Sequence, residues 1–351
     1  MNKVCFFGIH DPNYARNRVL ASGFRHNGYE VTDCCVDPKV YLGMGKYFQL
    51  YKEFKKLKGE NFDLVLIAFP GQTVVWLARI LFGKKIIFDA FLSLYDSNVF
   101  DRKIYSKFSP RAWKDYFMDW NSCFFADKVL LDTDEHIKYF CETFHFTKDK
   151  FISVPIGADE SIFYPREVKG GSSTFNVHFH GTFIPLQGVE YIVEAAGILR
   201  NENIHFTLVG SGQDFCFIKD KVKSSGLESR FSFVGKVPME KIPDYVALAD
   251  VCLGIFGKTE KTKRVIPNKV YECIAMRKPV ITAKSDAILQ FFRDGEDIIM
   301  CKTSDGKDLA DKLMILKSDK NLRVKISEGG YNLFKNNFTS TIIVKNLLTC
   351  L

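Results

Sequence analysis

The stretch "FNVHFHGTFIPLQGVEYIVEAAGILR", residues 175–200, joins a strand, a glycine turn and a helix with almost nothing between them. An apolar strand runs into Gly181 and Thr182, a short loop carries Pro185 and Gly188, and apolar residues then recur at helical spacing. This is one βα unit. His178 and His180 stand two apart in the strand, so they share one face and read as core or cleft-lining residues. N–H groups at such a helix start suit a phosphate, and a tight βα turn would use the same glycines.

The unit recurs along the chain. The first half holds "KVCFFGI", "YEVTDCCV", "FDLVLIAF", "KKIIFDAF", "DKVLLDT" and "KFISVPI", and the second "FNVHFHGT", "IHFTLVGSG", "RFSFVG", "ADVCLGIF", "KPVITA" and "DIIMCK". Amphipathic segments separate most of them. Apolar runs of this kind suit parallel strands covered on both faces. Between the halves, "PREVKGGSST" at residues 165–174 breaks the pattern and reads as an interdomain linker. The expectation is an α/β protein with two Rossmann-like parallel-sheet domains, 1–166 and 174–335, facing a central cleft, with residues 336–351 forming a terminal helix. Ligands of such sheets bind at the carboxyl ends of the strands, so the cleft is the expected active site.

Composition bounds the remaining classes. A chain of 351 residues with 46% hydrophobic and 26% charged residues is long enough for two cores. Its ten cysteines are scattered without C-x-x-C spacing and read as reduced, mostly buried thiols of a cytoplasmic protein. The apolar run at the start is too short for a signal peptide, and "VLIAFPGQTVVWLARILF" is interrupted by Pro70, Gly71, Gln72 and Arg79. A net charge of +8 suits phosphate-bearing ligands or an anionic membrane face. No zinc spacing or RNA-binding signature is present, so no nucleic-acid partner is expected.

The candidate chemistry lies at strand ends. "FGIHDPNYARNRVL" lacks G-x-G-x-x-G, which argues against nicotinamide or flavin. His10 and Asp11 at the tip of the first strand, with Arg16 and Arg18 beyond, could bind an acceptor; an Asp-Pro turn with solvated arginines is the plainer alternative. Gly210 and Gly212 in "VGSGQ" would let backbone approach a ligand. In "IPNKVYECIAM", Pro267 starts a helix on which Lys269 and Glu272 stand at i and i+3, on one face. Taken alone they would be a surface ion pair. Asp132-Thr133-Asp134 spells D-x-D, but Thr133 or Asp134 reads as a helix N-cap, and no essential metal or other cofactor is expected. "KYFQLYKEFKKLKG", residues 46–59, could rest on anionic lipid or be an ordinary surface helix.

"GTFIPLQGVEYIVEAAGIL", "TLVGSGQ", "FVGKVPMEKIPDYVALADVCL" and "IPNKVYECIAMRKPVI" follow in the order and spacing of the donor half of glycosyltransferase family 4, and the chain resembles these retaining enzymes of the GT-B fold. The first half is similar too, in "ADKVLLDTDEHIKYF" and "VPIGADESIFYP". The resemblance implies that a nucleotide-diphosphate sugar binds the second domain and an acceptor arrives from the first. It places Glu272 on the ribose hydroxyls and Lys269 on the diphosphate, with Gly181, Thr182, Gln187 and Gly188 near the phosphates, Val234 and Gly235 flanking the base, and Asn268 beside them. It also implies that the last segment packs back on the first domain.

Four positions depart from the family pattern. Thr182 and Gln187 stand where an arginine and a lysine are usual, Arg264 replaces the first glutamate of an E-x7-E pair, and Phe91 replaces a histidine, leaving Asp89 as the nearby catalytic candidate and Asp96 as an acceptor-binding one. The loop "GKTEKTKRVIPNK" could return the lost charge through Lys263 and Arg264. The resemblance implies a cytoplasmic hexosyltransferase of polysaccharide biosynthesis, acting on a glycan, lipid-linked or small-molecule acceptor, with possible peripheral contact at the inner membrane face. A non-catalytic partner subunit and a nucleotide-sugar epimerase or hydrolase are the alternatives.

Overall fold

The computed structural model describes residues 2–83, 85–168 and 173–351. The chain divides into two compact units. One runs up to Asp159 and takes in Phe338–Leu351, and the other is Glu160–Asn337.

The first unit is a six-stranded sheet of β1 (Asn2–Gly8), β2 (Tyr29–Cys35), β3 (Leu64–Ile67), β4 (Ile86–Asp89), β5 (Lys128–Leu131) and β6 (Phe151–Ser153), in the order β2-β1-β3-β4-β5-β6. Every pairing is parallel. Alternation within β1 sends Cys5 and Phe7 into one core and Val4 and Phe6 into another on the opposite face. Apolar residues on both faces explain why these strands appear as unbroken apolar runs.

The second core is completed from the far end of the chain. The helix Ser340–Thr349, capped by Thr339, packs Ile343, Val344 and Leu347 against Val19, Leu20 and Phe24 of the helix Ala15–His26. Gly23 makes the approach possible. A Cβ there would meet Ser340 O at 2.3 Å and Val344 Cγ2 at 2.4 Å.

The second unit repeats the architecture with β7 (Phe175–His180), β8 (Ile204–Val209), β9 (Phe231–Gly235), β10 (Val251–Leu253), β11 (Val280–Ala283) and β12 (Ile299–Cys301), all parallel, ordered β12-β11-β10-β7-β8-β9. All twelve apolar runs form strands. Phe175, Val177 and Phe179 of β7 enter a core with Val189, Ile192 and Val193 of the helix Val189–Ile198.

The division between units falls at Asp159 and Glu160, ahead of the 165–174 stretch, of which residues 169–172 lie outside the described residues. Arg166 ties its segment to the second unit through Asp244, 2.6 Å away. Among the described residues no helix is long and apolar enough to cross a membrane.

Candidate functional site

Lys269 and Glu272 lie on the helix Asn268–Ala275, which is buried from Lys269 onward. They are 4% and 6% exposed, which rules out a surface ion pair. Long charged side chains are rarely buried this deeply without compensation. Here each charge is held by its own neutral partner. Lys269 Nζ donates to Gln187 Oε1, lies 3.5 Å from Gly254 O and sits 4.0 Å from the centroid of the Phe179 ring. Glu272 Oε2 is 2.8 Å from His180 Nε2, and His180 Nδ1 is 2.9 Å from His178 Nε2.

Burial dominates the electrostatics. It pulls the Lys269 ammonium down to about 7 and pushes the Glu272 carboxyl up to about 7, and the opposite charge of each partly resists the other's shift. It also holds His180 down to about 3 and His178 well below its ordinary value, with the Lys269 charge adding to both. Both imidazoles are therefore neutral at pH 7.

Three turns close around this pair. Gly181 N–H donates to Val209 O at 2.9 Å, Gly210 N–H to Gly235 O at 2.8 Å, and Phe183 N–H to Ser211 O at 3.1 Å, so the ends of β7, β8 and β9 are tied together. Gly210, at φ 129°, admits the contact, since a Cβ there would stand 2.0 Å from Gly181 O. Gly188 takes a left-handed φ of 62° and caps the helix Val189–Ile198, and a Cβ on it would strike Gly257 N at 2.4 Å. Gly212 packs on the Phe183 backbone. Thr182 is exposed at the rim, Gln187 is buried, and Val234 and Asn268 are half-buried.

The basic loop is a short 3-10 turn, Glu260–Lys263, that packs beside the Pro185–Gln187 turn. Its Lys263 ion-pairs with Glu260 at 2.8 Å in solvent, and Arg264 is half-buried.

The first-unit candidates fare differently. Asp89, expected among catalytic groups, and Arg16, expected at an acceptor, are both fully buried and joined at 3.0 Å; Arg16 Nη1 also donates to Val154 O and Pro155 O. Their side chains are spent on each other in the interior, which removes both from the candidate list. Asp96 is likewise buried, in the π-helical turn Asp96–Asp101, its N–H donating to Ser93 Oγ at 2.9 Å. Asp11 accepts from Asn13 N–H and pairs with Lys39, the plainer turn-forming reading. His10 is buried, with no hydrogen-bond partner at either ring nitrogen among the described residues, and burial pulls it down to about 4. Phe91 has a φ of 57° and packs on Phe69, with ring centroids 4.9 Å apart. Thr133 caps its helix by accepting from His136 N–H, while Asp132 lies 2.7 Å from His136 Nδ1, so the D-x-D is a helix start.

Residues 174–319, covering the second sheet and this site, match the profile described as Glycosyl transferases group 1. This segment belongs to the group 1 glycosyltransferases. N-acetyl-alpha-D-glucosaminyl L-malate synthase of Bacillus anthracis is 25% identical over 199 residues, 54% of this chain and 50% of that protein. Alpha-D-kanosaminyltransferase of Streptomyces kanamyceticus is 26% identical over 154 residues, 43% of this chain and 39% of that protein. The chain thus spans about half or less of the curated relatives it matches. Among solved structures, Anabaena Alr3699/HepE in complex with UDP and glucose has a TM-score of 0.75 at 14% identity, with both chains covered in full. That likeness is one of fold, and the fold is GT-B. Within the group 1 segment, the residues whose roles were missed from sequence are His178 and His180. Their spacing was visible, but Glu272 is 92 positions from His180.

Proposed function

We propose that the protein transfers a sugar from a nucleotide-diphosphate sugar to an acceptor hydroxyl with retention of configuration. The observation that carries this reading is the pair of buried, separately held charges, Lys269 and Glu272, beside the glycine turns ending β7, β8 and β9. An ionised Glu272 can accept two hydrogen bonds from a ribose cis-diol. The Lys269 ammonium and the N–H groups opening the helix Val189–Ile198 offset charge on the diphosphate as the sugar–phosphate bond breaks. Val234 and Gly235 flank the base. The acceptor oxygen bonds to the anomeric carbon on the face the phosphate leaves, and the departing phosphate oxygen takes the acceptor proton. This scheme calls on no metal and no protein base; the protein positions and stabilises. The names of the relatives and the UDP and glucose bound to Alr3699/HepE support it.

Thermal-shift and product analysis with UDP-, GDP- and ADP-sugars test the reading. One nucleotide class should stabilise the protein and its sugar should be slowly hydrolysed when no acceptor is present. Stabilisation by none would mark a non-catalytic subunit, and a 2-epimer product would mark an epimerase.

The reading extends to a glycan or lipid-linked acceptor handled at the inner face of a membrane. Leu42, Met44 and Phe48 are 79%, 68% and 68% exposed at the start of the helix Gly45–Lys56, beside exposed Lys52, Lys55 and Lys56. Exposed apolar side chains followed by exposed lysines along one helix suit an anionic lipid surface. Sedimentation with phosphatidylglycerol vesicles should fall several-fold when the three lysines become glutamate, and unchanged sedimentation would reject membrane contact.

A further inference from the structure

The Glu272 carboxylate does not stand alone, because β7 presents two histidines to it in series. His180 Nε2 is 2.8 Å from Glu272 Oε2, and on the same strand face His178 Nε2 is 2.9 Å from His180 Nδ1. All three side chains are buried, and among the described residues His178 Nδ1 has no hydrogen-bond partner. Two directions of hydrogen bonding are open to such a chain. In one, His178 Nε2–H donates to His180 Nδ1 and His180 Nε2–H donates to Glu272, so the last atom, His178 Nδ1, is a bare acceptor. In the other, Glu272 must be protonated and donate, and the chain ends on a buried N–H with nothing to receive it.

Orphaned buried N–H groups are the rarer and costlier case. The first direction therefore holds, and it delivers an N–H to the carboxylate. The hydrogen bonds of this chain are separate from those of Lys269, whose ammonium is held by Gln187, the Phe179 ring and Gly254.

We infer that His180, with its tautomer set by His178, is a positioning residue that holds Glu272 as an oriented carboxylate with one oxygen committed to the protein and the other left for the ribose diol. The inference rests on the donor-site reading and adds that ribose recognition is built from β7 as well as from the helix carrying Glu272. A carboxylate without the imidazole donor would lose both its charge stabilisation and its fixed rotamer. The diphosphate contacts would be untouched.

Titration calorimetry with UDP, GDP and ADP, each beside its 2′,3′-dideoxy counterpart, separates the two contributions. For the nucleotide that binds, the wild type should favour the ribose form by about tenfold or more, the size of one charged hydrogen bond. In His180→Leu that preference should fall towards unity while the dideoxy affinity is kept, which also shows that the variant is folded. His178→Leu should reduce the preference partly, and His180→Gln, which keeps a donor, should restore much of it. An undiminished preference in His180→Leu, or in His178→Leu should His180→Leu fail to fold, overturns the inference. If the wild type binds none of the three nucleotides, the donor reading itself falls and takes this inference with it.

Discussion

Arg16 with Asp89, and Lys269 with Glu272, are buried opposite charges on two different parts of the chain, and their partners tell them apart. Arg16 and Asp89 are fully buried and neutralise each other directly at 3.0 Å, with Nη1 of the guanidinium donating to the Val154 and Pro155 carbonyls. Lys269 and Glu272 are nearly as buried, yet each is held by a neutral group, and burial draws both titrations towards pH 7. Perturbed groups without a cancelling partner mark a site poised for a charged ligand; a closed pair marks structure. Removing one member of the closed pair strands the other charge. Arg16→Met or Asp89→Leu alone should therefore lower unfolding stability by about 3–5 kcal/mol, and the double variant should recover most of it. Denaturant titration checks this. Loss of activity in Asp89→Asn without loss of stability would return Asp89 to the catalytic list. The sequence showed the Lys269 and Glu272 spacing on one helix face, but not their burial or their partners. Gln187 and His180 lie 82 and 92 residues away from them, beyond any local pattern.

At the scale of elements, the strands were readable because parallel strands covered on both faces carry apolar residues at every position. Cys5, Phe6 and Phe7 illustrate it, feeding two different cores from consecutive positions. The helix start at Asp132-Thr133-Asp134 was equally readable, because an N-cap needs only its own next turn. The division between units was not, since the segment after Asp159 is held to the second unit by an Arg166–Asp244 contact that spans 78 residues. The helix Ser340–Thr349 shows what such long-range packing demands. It lies so close to the helix Ala15–His26 that Gly23 leaves no room for a methyl group. Gly23→Ala should destabilise the first unit by about 1–3 kcal/mol through overpacking. Chemical denaturation reads this, and an unchanged midpoint would mean that the helix does not seat on Gly23.

Across the whole molecule, the family match covers residues 174–319, which are the sheet and turns of the second unit, and the fold likeness extends over the full chain. The same apolar βα grammar writes both sheets, yet the separately held charges occur at the strand ends of the second. The departure at Gln187 acquires a physical reading there, since Gln187 supplies a neutral acceptor that holds Lys269; nothing in the structure explains the one at Thr182. In the function proposed above, the Lys269 ammonium and the Glu272 carboxylate bind a nucleotide diphosphate. Calorimetric titration of UDP, GDP and ADP into the wild type, Lys269→Ala and Glu272→Ala tests it most directly. At least one nucleotide should bind the wild type and lose about tenfold or more in affinity in each variant; equal affinity in all three proteins would contradict the donor-site proposal.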